Sequence, residues 1–180
     1  MPSKRTFRFS HEETIYLELL KNRNFKKASE ETLSTISLKH SHEAIFSLAT
    51  DGFELTENNS PKLYEAFLST KSLLKISPKK RISLYISNNQ QINAGCIFLN
   101  KNHYAVYLNS GIINLMDLEE LKFVIGHEIG HLKYQHHKII KEPDQRTSPA
   151  TQIRLFEHSR YAEISADRCG LFVTDSLDVC

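Results

Sequence analysis

With 180 residues, 40% hydrophobic and 24% charged, the chain is long enough for one domain with a buried core and needs no cross-links to hold it. A net charge of +2, with bases and acids interspersed, excludes the basic footprint of a nucleic-acid binder. No apolar run approaches the roughly 20 residues that cross a bilayer, and none follows the basic N-terminus (Lys4, Arg5, Arg8), so neither a transmembrane span nor a secretory signal is expected.

Ser10-x-x-Glu13 has the form of a capping box, and Ile15, Leu19 and Leu20 follow at helical spacing, so a helix is predicted from Ser10. Helical patterning continues to about Ala49, with a break near Asn22–Asn24. Asn58-Asn59-Ser60-Pro61 starts another helix, with Ser60 as N-cap, Pro61 in its first turn, and an apolar face of Leu63, Tyr64, Phe67 and Leu68. After Pro78 the period shortens to two. Ile82–Ile86, Cys96–Leu99 and Tyr104–Leu108 read as strands, with turns over Asn88–Gln91 and at Lys101-Asn102. Asp117-x-x-Glu120 caps a long helix expected to reach about Ile140. Lys141–Pro149, with two prolines, reads as a flexible loop, and a last helix runs from Thr151 to Phe172. Helices, a small sheet, then two helices describe an α+β domain over 1–180, with 1–60 as a helical N-terminal part and 61–180 as the core. The cysteines Cys96, Cys169 and Cys180 are odd in number and scattered, which suits a reducing, cytoplasmic or otherwise soluble setting better than a disulfide framework.

Nine histidines direct attention to metal-ligand spacing. His127 and His131 stand four apart on the predicted helix and project from one face, as two adjacent corners of a zinc tetrahedron require. Glu128 lies about 100° further round the helix, too far to be a third ligand but suited to touch a water on the metal. Zinc lowers the pKa of such a water to around 7, and Glu128 would take its proton and pass it to the leaving amine. The competing reading is a solvated helix face that also carries His136 and His137. Gly126 and Gly130 weigh against it, because each costs about 1 kcal/mol of helix propensity relative to alanine. A helix packed closely beneath a metal site has reason to bear that cost. In the last helix Ser159, Glu163, Ala166 and Gly170 share one stripe, small apart from the carboxylate. Glu163 offers a third ligand, and Asp167 on the same side offers an acceptor for the Nδ1–H of a ligand histidine.

His127-Glu128-Ile129-Gly130-His131, followed 32 residues later by Glu163-Ile164-Ser165-Ala166-Asp167, resembles the HtpX-type and CAAX-prenyl-protease-type zinc peptidases, metallopeptidase family forty-eight of the gluzincin clan. Asn93-Ala94 and Leu108-Asn109-Ser110-Gly111-Ile112-Ile113 resemble that family's segments before the edge strand and before the active-site helix. The resemblance implies a zincin-like fold with a small, mostly antiparallel sheet and one Zn2+ per chain. His127, His131 and Glu163 would be its ligands, Glu128 the general base, and Asp167 the partner behind a ligand histidine. It also implies that a protein or peptide substrate lies antiparallel along a sheet edge, with Cys96–Asn100 the candidate edge and Asn93, Ala94, Gly95 and Cys96 the substrate-binding stretch.

Many relatives of this type carry transmembrane helices, and they usually continue into further helices that supply a basic or histidine residue near the reacting carbonyl. In this chain that role would fall to His158, Arg160 or Tyr161. The function implied is a soluble zinc-dependent endopeptidase. The alternative is a latent or inactive zinc-binding pseudo-protease that acts as a protein-interaction module. The tail Asp175–Cys180 could supply a carboxylate or thiolate that covers the metal in a latent state.

Overall fold

The computed structural model describes residues 7–21, 45–100, 102–139 and 148–176. The expected break near Asn22–Asn24, the helices up to residue 44, the turn residue Lys101, the loop up to residue 147 and the tail from residue 177 lie outside them.

Helix α1 (Ser10–Lys21) starts at the expected residue, but without the expected capping box. Ser10 Oγ lies 3.5 Å from His11 Nδ1, and Glu13 sits 3.7 Å from Arg8. The carboxylate that turns inward is Glu12, in line with the buried Ile15 and Leu19. After a helical stretch at 45–51 the chain enters strand β1 (Gly52–Glu54). Helix α2 (Pro61–Leu73) has its proline in the first turn behind Ser60, whose side chain makes no cap bond. Asn59 closes that turn instead, with Oδ1 accepting from the Thr56 N–H at 2.8 Å and Nδ2 donating to Glu54 O at 3.0 Å. Leu63, Ala66, Phe67 and Thr70 are the buried positions, whereas Leu68, expected on the apolar face, is 45% exposed. One residue beyond Phe67, it lies about 100° round the helix from the buried stripe.

Strands β2 (Arg81–Ser87), β3 (Ala94–Asn100) and β4 (His103–Asn109) join β1 in one sheet of order β1-β2-β4-β3. Two pairings are antiparallel, β1 with β2 and β3 with β4, and the central one, β2 with β4, is parallel. The sheet is therefore mixed, and β3 lies at its edge. Alternation along the strands sends Ile82, Leu84, Tyr104, Val106 and Leu108 to one face. They pack against Leu121, Ile125, Ile129 and Leu132 in the main core.

The short helix α3 (Ser110–Leu115) leads into α4 (Leu118–Tyr134) through the expected capping box. Asp117 Oδ1 accepts from the N–H groups of Glu119 and Glu120 at 2.9 Å each, and the Asp117 N–H donates to Glu120 Oε2 at 2.7 Å. Helix α4 ends at Tyr134 rather than near Ile140. Gln135 adopts φ 62°, its N–H returns to His131 O, and His136–Lys138 form a 3-10 turn. The reversal carries His136 inward, so it is buried rather than on a solvated helix face. Helix α5 (Pro149–Thr174) begins two residues before the expected Thr151, capped by Ser148 Oγ, which accepts from the Thr151 N–H at 3.3 Å. Among the described residues no helix is long and apolar enough to cross a membrane.

Helices α4 and α5 lie almost in backbone contact. A Cβ on Gly130 would meet Ala166 Cα at 3.0 Å and Cys169 Sγ at 3.2 Å, and one on Gly126 would meet Val173 Cγ2 at 2.5 Å. Glycine at these positions lets side chains of the two helices share one site. Gly130→Val is expected to cost about 1–3 kcal/mol through overpacking, read as a lower urea midpoint. An unchanged midpoint would mean that the helices can part without cost. A smaller core of Ile15, Leu19, Ile139 and Leu155, flanked by Tyr16 and Tyr161, holds α1 against α5.

Candidate metal centre

Helix α4 presents His127, Glu128 and His131, and α5 presents Glu163 and Asp167. His127 Nε2 and His131 Nε2 are 3.0 Å apart, and Glu163 Oε2 lies 3.3 Å from each. Zinc bonds of about 2.0–2.2 Å at tetrahedral angles would set ligand atoms about 3.3–3.6 Å apart. The three atoms thus form a triangle close to one face of such a tetrahedron, and two imidazoles with a carboxylate are a donor set that zinc accepts. Among the described residues this is the one group of three or more such side chains arranged to hold a metal ion. The residues present therefore fit zinc.

Each histidine of the pair has a partner at its other nitrogen. His127 Nδ1 lies 2.9 Å from Asp167 Oδ1, so the proton sits on Nδ1 and Nε2 presents its lone pair toward the triangle. His131 Nδ1 lies 2.7 Å from His136 Nδ1. The neighbouring His127 and His131 imidazoles hold the Glu163 carboxyl well below the usual carboxylate range. Burial works to lower the His127 imidazole, but Glu163, Glu128 and Asp167 together outweigh it and raise the pKa. The site therefore attracts a cation, whether a proton or a metal ion.

Glu128 is half-buried one residue beyond His127, and its charge reaches both that imidazole and the phenol of Tyr107 on β4. Tyr107 faces Gly95 across the β3–β4 pair, and its hydroxyl lies 2.5 Å from where a Gly95 Cβ would stand. A Cβ at that position would force the Tyr107 ring to shift. Burial, then the charges of Glu128 and Cys96, push the Tyr107 phenol up. Of the expected substrate-binding stretch, Asn93 directs Oδ1 to the Ala94 N–H at 2.9 Å, and Ala94 and Cys96 pack against the main core. His158 is buried 3.8 Å from Glu12 and shares a small cavity with His131, His136 and Glu163, whereas Tyr161 packs against Phe9 and His11. Arg160 is exposed.

The largest feature absent from the sequence reading lies behind His131. Glu12 is fully buried, with Oε1 accepting from Arg8 Nε at 2.8 Å and Oε2 from Ser165 Oγ at 2.6 Å. His136 Nε2 at 3.5 Å and His158 Nε2 at 3.8 Å also stand beside Glu12 Oε1. Burial holds the His136 imidazole below its ordinary range, so it is neutral at pH 7. The available signal was the spacing Glu12-Ile15-Leu19, three then four residues, which puts a carboxylate on the buried stripe of α1.

Residues 57–180 match the model of peptidase family M48. The chain belongs to that family. M48 members are zinc metallopeptidases, consistent with the donor set. Similar M48 relatives include proteins described as "Protease HtpX homolog". That of Thermodesulfovibrio yellowstonii is 34% identical over 84 residues, 46% of this chain and 28% of the relative. That of Streptococcus gordonii is 32% identical over 80 residues, 44% of this chain and 26% of the relative. That of a Sulfurovum species is 42% identical over 52 residues, 29% and 19% of the two chains. The match thus spans between 19% and 28% of the length of these curated relatives. No solved structure matches the chain. Helix α1, with Glu12, precedes the part that the M48 model covers.

Proposed function

We propose that the chain is a zinc-dependent endopeptidase with His127, His131 and Glu163 as metal ligands and Glu128 as general base. One observation carries this reading: two imidazole nitrogens and a carboxylate oxygen stand 3.0–3.3 Å apart, with a further glutamate adjoining the first histidine. Zinc held there supplies a Lewis acid that lowers the pKa of water to about 7 and polarises a peptide carbonyl. Glu128 takes the proton of the attacking water and hands it to the departing amine. Asp167 accepts the Nδ1–H of His127 and so keeps the Nε2 lone pair directed at the metal.

The substrate is an extended stretch of protein or peptide that pairs with the outer edge of β3 along Asn93, Ala94, Gly95 and Cys96. Such an edge offers unpaired backbone N–H and C=O groups to any chain, whatever its side chains. Of the three candidates for steadying the carbonyl oxygen, Arg160 is the one retained. It is exposed and stands one turn before Glu163 on α5, on the same side of the helix.

The test is removal and return of the metal. The full chain should carry about one zinc and cleave unfolded casein, lose cleavage to a chelator, and regain it with equimolar zinc. Zinc bound at that ratio without cleavage would favour an interaction module, and absence of zinc binding would sink the metal centre.

A further inference from the structure

We propose that Glu12 and His136 form a positioning pair for His131, through which α1 fixes the second histidine of the metal site. The inference rests on the reading of His131 as a ligand. If His131 turns Nε2 to the metal, its proton is on Nδ1, and the contact of 2.7 Å to His136 Nδ1 can only be Nδ1–H donating to a lone pair. His136 then carries its own proton on Nε2, the nitrogen that faces Glu12 Oε1 at 3.5 Å. At that distance the Glu12 contact is electrostatic rather than a full hydrogen bond. One tautomer of each ring suits every contact in the series carboxylate, imidazole, imidazole, metal.

The pair is built rigidly. Glu12 is fully buried and is held by Arg8 and Ser165, and Ser165 Oγ also accepts from the Phe9 N–H at 2.9 Å. Ser165 is two residues from Glu163, so the network also reaches the third ligand's helix. His136 is brought under His131 by the left-handed turn at Gln135, whose N–H bonds to His131 O. The two histidines of the site therefore use different devices. His127 leans on Asp167, which is largely exposed on α5, and His131 leans on a buried pair that the N-terminal helix completes. A carboxylate behind a ligand imidazole sharpens its orientation and raises its basicity, and losing such outer partners typically costs about 10- to 100-fold in metal affinity.

The experiment measures zinc affinity of the full chain by competition with a chromophoric chelator, for wild type, His136→Phe, His136→Asn and Glu12→Gln. His136→Phe keeps the ring and removes the acceptor, and should bind zinc about 10- to 100-fold more weakly. The amide oxygen of His136→Asn stands near the former Nδ1 and should restore most of the affinity. The visible spectrum of the cobalt-substituted protein should change in His136→Phe and return in His136→Asn. Affinity unchanged in His136→Phe, or lowered equally in the phenylalanine and asparagine variants, would overturn the proposal. If His136→Phe does not fold, Glu12→Gln decides: about ten-fold weaker binding is expected, and wild-type affinity would overturn it. A wild type that binds no zinc would instead overturn the metal-centre reading itself.

Discussion

Glu128→Gln should keep its zinc and lose between about a hundred- and ten-thousand-fold of its casein-cleaving rate, the range that positioned acid–base groups usually contribute. Glutamine has the size and shape of glutamate but cannot accept the proton of the attacking water. The metal should stay, because the triangle of His127, His131 and Glu163 does not include Glu128. Zinc content by atomic absorption and initial rates on casein, for wild type and variant side by side, separate the possibilities. Zinc lost in step with activity would make Glu128 a structural or ligating group. Wild-type activity in the variant would mean that another group moves the proton.

What could be read from the sequence was what short-range rules govern. Asp117 and Glu120 announced the start of α4 because a capping box is complete within four residues. Strands β2 to β4 announced themselves by their period of two. The end of α4 did not, because Gln135 in a left-handed conformation has no signature of its own, unlike glycine or asparagine, and apolar residues continue beyond it. Strand order was hidden as well, since the parallel pairing of β2 with β4 leaves no local trace. At the site, the spacing of His127 and His131 is local. Their meeting with Glu163 is long-range, yet small residues on both helices, Gly126 and Gly130 facing Ala166, Cys169 and Gly170, mark the close approach. Glu12 leaves little trace in the sequence, because Ser10-x-x-Glu13 has the form of a cap around the neighbouring carboxylate and His136 and Ser165 reach Glu12 only through the fold.

Glu12→Ala should cost about 3–5 kcal/mol at pH 7, the usual loss when one partner of a buried ion pair is removed. Arg8 would lose the carboxylate it holds at 2.6 Å, and Ser165 its acceptor. Burial alone would raise the Glu12 carboxyl, but the adjacent His136 imidazole and hydrogen bonds from Arg8 and Ser165 outweigh it and hold the pKa at about 2, against an ordinary 4.5. The folded state therefore favours the ionised form, and the stability this gives is complete above pH 4.5 and lost as the pH falls through about 2. A shift of that size corresponds to about 3 kcal/mol. Urea midpoints of the zinc-free proteins should thus differ most at neutral pH and converge between pH 4.5 and 2. Both proteins begin to weaken earlier, because burial holds His158 at about 4 while the unfolded chain takes up that proton near its ordinary 6.5. Curves that run parallel down to pH 2 would show that Glu12 is not held as a buried anion. The link from α1 through His136 to His131 would then lack the charge on which it depends.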